Sequence, residues 1–343
     1  METRNVDEPI LVNFSAKHSL LLKLIAPHFS RKYGFAVSFL DGTEKNRLKY
    51  EVEVSYLRTI PEEARIFKID RLSTVYIDDT EPDLLVDQLA YETGKVFYPL
   101  IAEIDFDGKF IGIGNIEEIQ ERWIKLREEI SEYFVGEEVE RYLELMDEAI
   151  ADEELLHESI ENDFFIHTYF SNIYKSYTSS LVVEEDMSFP IAGKGEPVNF
   201  KVTTEAAGIL NSFDTIELNC TGVTRDERSA QDIEQEQCFP IHKLNEPSVD
   251  SVKGSYEALY ILHKDTKAIE SVVAKWKLEL KVVREIEVKI FEIETEASMV
   301  AQTIKVKSDE SPLFYIDGGN YSSAPKEGLI DKLKKIMPWQ RNT

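Results

Sequence analysis

Glu154-Leu155-Leu156-His157 places a carboxylate and an imidazole three residues apart, the spacing that sets both on one helical face in carboxylate-bridged two-metal bundles. Such a bundle needs a second Glu-x-x-His element and a glutamate from each of two further helices. The sequence holds a single such element, so no metal ligands are assigned. Cys238 and His242, four apart around Pro240, are the residue types of a thiol nucleophile and its base. No orienting carboxylate or amide can be assigned to that imidazole, and no Gly-x-Ser-x-Gly elbow occurs. The pair reads as a structural cysteine and a surface histidine.

Gly112-Ile113-Gly114 sits where a dinucleotide fingerprint would begin, between a strand and a helix. Glu117 occupies the place of the third glycine, and a carboxylate there repels pyrophosphate. Asp105-Phe106-Asp107-Gly108 lacks the spacing of a calcium loop, with glycine at the fourth place instead of the sixth, and reads as a hairpin turn. Twelve carboxylates crowd Glu137 to Asp163 with one arginine, Arg141. They could supply the acid–base pair of a glycosidase, but they fall on the polar face of an amphipathic helix, where solvation is their ordinary role. No catalytic residue, metal ligand or cofactor is therefore assigned, and an enzyme, at most a hydrolase without a recognisable motif, ranks last among the readings.

The elements that carry these residues follow from periodicity. Between Phe35 and Ile113 the period is two: Leu48, Tyr50, Val52, Val54 and Tyr56 alternate with Lys49, Glu51, Glu53 and Ser55, as in an antiparallel strand with one wet face. Asp41-Gly42 and Asp107-Gly108 mark hairpins, and Pro82 and Gly94 bracket a short helix over Asp83–Glu92. At Asn115 the period changes. Asn115 with Glu118 predicts a capping box, and Ile116, Ile119, Trp123, Leu126, Ile130 and Tyr133 form a helical stripe ending at Gly136. Val139, Leu143, Met146 and Ile150 define a second helix that restarts at Asp152 toward Ile160. The aromatic run from Asp163 to Tyr177 suits helix or strand.

A turn-rich stretch, Ser179–Pro197, separates this half from a second strand run: Tyr256–Lys264 and Ala268–Leu280 flank a turn at Asp265, then Ile286, Val288 and Ile290 alternate with charges. Tyr98 precedes Asp107-x-Lys109-x-Ile111 as Tyr256 precedes Asp265-x-Lys267-x-Ile269. That similarity is read as ordinary hairpin-turn chemistry in preference to a duplication.

Charge bounds the partners. With 65 acidic and 39 basic residues and a net charge of -26, the chain is repelled by nucleic-acid phosphates and anionic lipid, so no nucleic-acid partner is expected. The longest apolar cluster, Leu20–Ala26, is interrupted by Lys23 and far too short for a membrane span. Met1–Pro9 lacks the basic start of a secretory signal, and two cysteines do not make a disulfide framework, so a cytoplasmic location is expected.

The sign of charge reverses locally near the end. After the linker-like Gly318–Gly328 come Leu329, Leu333, Ile336, Met337 and Trp339 among Lys332, Lys334 and Lys335, a basic amphipathic tail suited to docking in a partner's groove or on its own body.

The expected fold is α+β: two antiparallel, curved β-sheet units with an inserted helical hairpin and a short C-terminal helix. Residues 1–178 form the first unit, with the insertion at about 115–163; residues 179–317 form the second; residues 318–343 are linker and tail. The expected function is a non-enzymatic interaction or scaffold protein, a component of a larger assembly that engages a protein partner through its sheet surface and tail. The alternative is a carrier of an apolar small molecule or lipid, held between the sheet and a helical lid and lined by Trp123, Phe164, Phe165 and Trp276.

Overall fold

Alternation becomes sheet where it is expected. In the computed structural model, which describes residues 9–14, 21–193 and 195–293, β1 (Ser30–Asp41) and β2 (Glu44–Ile60) form a long hairpin that turns at Gly42, φ +65°. β3 (Ala64–Arg71) and the short β4 (Tyr76–Ile77) pair in succession along β2. After α1 (Leu85–Thr93), β5 (Leu100–Ile104) and β6 (Phe110–Ile113) form the second predicted hairpin.

Four helices follow: α2 (Ile116–Tyr133), α3 (Glu137–Ala151), α4 (Glu153–Glu161) and α5 (Phe164–Tyr169). The chain then returns to strands: β7 (Val182–Phe189), β8 (Val198–Ala206), β9 (Thr215–Thr224), β10 (Gly254–His263), β11 (Ile269–Leu278) and β12 (Arg284–Glu292). Two short helices, α6 (Ala230–Glu234) and α7 (Ile241–Asn245), lie between β9 and β10.

The architecture is α+β with an antiparallel sheet. The two strand runs do not stay apart: β12 pairs with β1, Phe35 opposite Ile290 and Val37 opposite Val288, so that a single twelve-stranded sheet runs β6-β5-β3-β2-β1-β12-β11-β10-β9-β8-β7, with β4 beside β2. β6 and β7 are its open edges. One period-two face is apolar throughout. Tyr33, Val52, Ile69, Tyr260, Val272 and Val288 point inward and are buried, and their cluster is continuous with the apolar stripes of α2, α3 and α5. The centre of this face is aromatic. Phe35 meets Phe165 edge-on at 5.7 Å, Phe39 meets Phe164 at 5.5 Å, and Tyr33 meets Tyr169 at 5.0 Å, which seats α5 across β1 and its neighbours. The Tyr33 hydroxyl donates to the Ile269 carbonyl (2.8 Å) and accepts from Tyr169 (3.0 Å), so these buried phenols are satisfied.

Several local expectations shift. Ser179–Pro197, read as a turn-rich separator, contains strand β7; its Glu184, Glu185 and Asp186 hide the apolar alternation and are suited to an edge strand, where charge discourages further pairing. Asn115 precedes α2 but makes no side-chain cap. Its Oδ1 accepts from Ile101 N (2.9 Å) and its Nδ2 donates to Pro99 O (2.9 Å), tying the helix start to β5 instead. Asp152 is the capped restart, accepting from Glu154 N and Leu155 N at 2.9 and 3.1 Å. The aromatic run resolves into α5 and an irregular but buried segment through Tyr177. Leu329, Leu333, Ile336, Met337 and Trp339, with the rest of the proposed tail, lie outside the described residues.

Candidate functional site

The four aromatic residues expected to line a ligand cavity are not gathered around one. Trp123 packs between α2 and α3, its indole N–H donating to Asp147 Oδ1 at 2.7 Å, while Arg127 Nε donates to Oδ2 of the same carboxylate at 2.8 Å. Phe165 stacks on Tyr169 at 5.3 Å, and Trp276 stacks on Tyr256 at 5.3 Å; Trp123, Phe165 and Trp276 are all buried in the core. Phe164 touches the Trp276 ring at 6.3 Å and is the member that faces a hollow. That hollow lies beneath α1, bounded by Phe35, Tyr50, Tyr98 and Phe164, with Arg71, Asp87 and Asp163 as its charged groups. Its volume is about 110 Å³. This is smaller than the roughly 150 Å³ that houses one benzene ring and well under the roughly 300 Å³ at which ligand pockets begin.

The charges of the hollow are held by their own surroundings. The Arg71 guanidinium lies over the rings of Tyr91 and Tyr98 at 5.3 and 5.1 Å. Asp163 caps α5 by accepting from Phe165 N and Ile166 N at 2.9 and 3.0 Å. Burial pushes the Asp163 carboxyl up, against those two N–H groups and Arg71, which favour the carboxylate. Burial likewise raises Tyr98 and Tyr50 well above the ordinary phenol range, so neither serves as an acid or base near neutrality.

The residues that suggested chemistry are engaged in structure. His157 Nε2 donates to the Ile111 carbonyl at 3.2 Å and its ring lies on Phe110, joining α4 to β6. No group of three or more metal-ligating side chains is found among the described residues. At Gly112 an added Cβ would stand 3.0 Å from Glu103 Oε2, so a carboxylate already occupies the place a phosphate would need. Gly108, φ +101°, turns the β5–β6 hairpin as expected of Asp107-Gly108.

His242, by contrast, has the orienting carboxylate that sequence reasoning did not find. Asp232, fully buried, accepts from Ser229 N (2.8 Å), Ser229 Oγ (2.6 Å), His242 N (3.0 Å) and His242 Nδ1 (2.7 Å). A carboxylate only accepts, so Nδ1 carries the hydrogen. Burial raises the Asp232 carboxyl, but the donors from Ser229 and His242 outweigh it and hold the group well below the usual carboxylate range.

The dyad nevertheless lacks a nucleophile: Ser229 Oγ is bound to Asp232, Cys238 Sγ bonds Glu196 Oε1 at 4.0 Å, and among the described residues no hydroxyl or thiol bonds His242. Nearby, the buried Arg228 forks onto Asp226 (2.9 and 2.7 Å) and reaches the carbonyls of Glu196 and Pro197. Together these two ionic centres fasten the β9–β10 connection. No protein-family model matches this chain, and no curated protein does.

The outer face of the sheet offers a different kind of site. It is largely a ladder of ion pairs, Lys275 with Glu287 (3.2 Å), Lys277 with Glu285 (3.1 Å) and Lys289 with Glu287 (2.7 Å). Beside this ladder apolar side chains come to the solvent side: Leu259 lies opposite Val273, which faces Lys289 on β12, and Phe291 lies diagonally beyond, opposite Ser271; Leu259, Val273 and Phe291 are 36% to 51% exposed. The tip of the Phe291 ring covers Gly34, where an added Cβ would be 2.4 Å from its Cζ. The alternation of β10, β11 and β12 announces these outward positions. It does not announce that they adjoin, because that depends on the register of three strands. Among the described residues no helix is long and apolar enough to cross a membrane.

Proposed function

We propose that the protein is a non-enzymatic interaction or scaffold protein of the cytoplasm, engaging a protein partner through the outer sheet face and the basic tail. The observation that carries this reading is the apolar patch of Leu259, Val273 and Phe291 on an otherwise ion-paired face. An apolar island rimmed by charge has the anatomy of an interface core and its rim. The filled aromatic centre of the inner face and the fastening role of Asp232, His242 and Arg228 support a binding surface over a reaction centre. Cys220 and Cys238 are both free, which suits a reducing compartment.

The carrier alternative rests on the hollow beneath α1 that Phe164 helps to line; at about 110 Å³ it suits nothing larger than a single small ring.

The test is a double substitution, Val273→Thr with Phe291→Thr, which keeps β-branched strand formers on the face while removing apolar area. Partners captured by the full chain from native lysate, compared with those captured by the variant, should lose a defined protein. Melting should shift by no more than a few degrees. Leu333→Asp with Ile336→Asp tests the tail in the same assay. An unchanged set of partners in both variants would refute the interaction reading.

A further inference from the structure

Strand β3 carries an arginine near each of its ends, both on the face of Phe67 and Ile69. Arg71 is covered by two tyrosine rings, but Arg65, 5% exposed, donates no hydrogen bond and forms no ion pair among the described residues. Arg31, Arg47, Arg127, Arg225, Arg228 and Arg284 each find a carboxylate, whereas Arg122, half-buried like Arg71, spends its guanidinium on the carbonyls of Val96 and Pro99. A guanidinium cannot shed its charge inside a protein, so it draws an anion to the space it faces. Burial disfavours the Arg65 cation, and Asp105 and Asp107 favour it from a distance without pairing to it.

Arg65 lines an open cleft of about 440 Å³ at one end of the sheet, within the roughly 300–1,000 Å³ of small-molecule sites. One side of Arg65 is taken by the Phe106 ring, whose centroid is 5.3 Å away. Lys267, 6% exposed, lines the same cleft; its ammonium bonds the Lys264 carbonyl, which leaves hydrogens unspent on a group with three. Lys23 stands exposed at the rim, as does Asp265. The remaining wall is mainly hydrocarbon and aromatic, with Leu24, Ile25, Pro27 and Tyr56, and carries two neutral polar side chains, Asn13 and Thr59.

We propose that this cleft binds a small amphipathic monocarboxylate, its carboxylate on Arg65 and its apolar body against Leu24, Ile25, Tyr56 and Phe106. The pairing follows from what is missing: a planar donor fork that opens on the cleft, with no acceptor among the described residues, is matched by a carboxylate. The apolar wall disfavours a bare inorganic ion. Asp265 at the rim and the net charge of -26 penalise each further negative charge, so a monoanion is preferred to a phosphate dianion. This assignment is independent of the outer-face interaction reading, since the two surfaces share no residue.

Octanoate, 1-octanol and inorganic phosphate, titrated calorimetrically into the full chain, provide the test. Octanoate should saturate a single site, octanol should bind at least tenfold more weakly, and phosphate should not saturate. Arg65→Met, which keeps the length and removes the charge, should weaken octanoate at least tenfold while melting at or above the parent temperature. Lys68→Met, on the same strand, should change octanoate affinity less than twofold. Absence of octanoate binding at millimolar concentration, equal affinity for octanol, saturable phosphate binding, or unchanged affinity in Arg65→Met would each overturn the proposal. A large fall in melting temperature in Arg65→Met would overturn it as well, because the guanidinium would then be serving the fold.

Discussion

Asp232→Ala removes the buried acceptor on which four donors converge, and the structure sets how much that should cost. The Ser229 hydroxyl and the His242 ring can turn toward water. The two backbone N–H groups, of Ser229 and His242, are fixed and would be left with no acceptor at the start of α6 and the start of α7. Breaking a buried charged cluster of this kind costs about 3–5 kcal/mol. An unfolding entropy of about 2.1 cal/mol/K per residue gives about 0.7 kcal/mol/K for a chain of this length, so the melting temperature should fall by about 4–7 °C. His242→Ala removes one side-chain bond at a half-buried position, worth about 1 kcal/mol, and should lower melting by only about 1–2 °C. The difference should also depend on pH in a defined direction. The Asp232 carboxyl is held below its unfolded value, so its contribution is complete above the ordinary carboxylate range and disappears as pH falls through the folded value. Differential scanning calorimetry at pH 7 and at about pH 3 should therefore show parent and Asp232→Ala converging in acid. A fall of less than about 2 °C at pH 7, or equal losses in the two variants, would refute the claim that Asp232 fastens this connection through its backbone donors.

Two further outcomes can be measured in the same way. Gly108→Ala should destabilise by several degrees, because the position has φ +101° and the new Cβ would meet the Ser171 carbonyl at 2.9 Å, whereas Gly34→Ala should be nearly neutral, its clash being with the tip of the exposed Phe291 ring, which can swing aside. Burial raises the carboxyls of Asp163, Glu270 and Glu292, so their protonation favours the folded state as pH falls from neutrality, while Asp226 and Asp232 are held low and lose their contribution only in stronger acid; melting temperature should pass through a maximum below neutrality, and a steady decline from pH 8 to pH 5 would contradict this.

Much of the sheet is legible residue by residue. Leu48, Tyr50, Val52 and Val54 on one strand and Trp276 and Leu278 on another alternate strictly with charges, and both Asp-Gly hairpins turn where the glycines stand. Local rules succeed because each strand faces water on one side only. The joining of the two runs is not legible. Nothing near Phe35 or Ile290 specifies that they pair, since strand partnership across the whole chain is set by which apolar faces fill one core. β7 was hidden by its own edge chemistry, because carboxylates at three successive positions break the pattern that identifies a strand. The sites were less legible still. Asp232 and His242 lie ten residues apart across Pro240, a separation with no periodic signature. Arg65 comes from β3, Phe106 from the β5–β6 connection and Lys267 from the β10–β11 connection, and they meet only when the sheet has formed.

That late meeting follows from the place of β12. Asp41 and Arg284 bond to one another across 243 residues, and the strands they end lie at the middle of the sheet, not at its margin. As the chain leaves the ribosome, β1 emerges early with its hydrogen-bonding edge and the aromatic side chains Tyr33, Phe35 and Phe39 on display, and it has no partner on that side until Glu292 has been synthesised. At about 5–20 residues per second that interval lasts from roughly 10 seconds to nearly a minute. Throughout that interval the nascent β1 edge is the place where another unfinished chain could add a strand. The protein's yield in a cell should then depend on chaperone supply and elongation rate more than on the stability of the finished molecule.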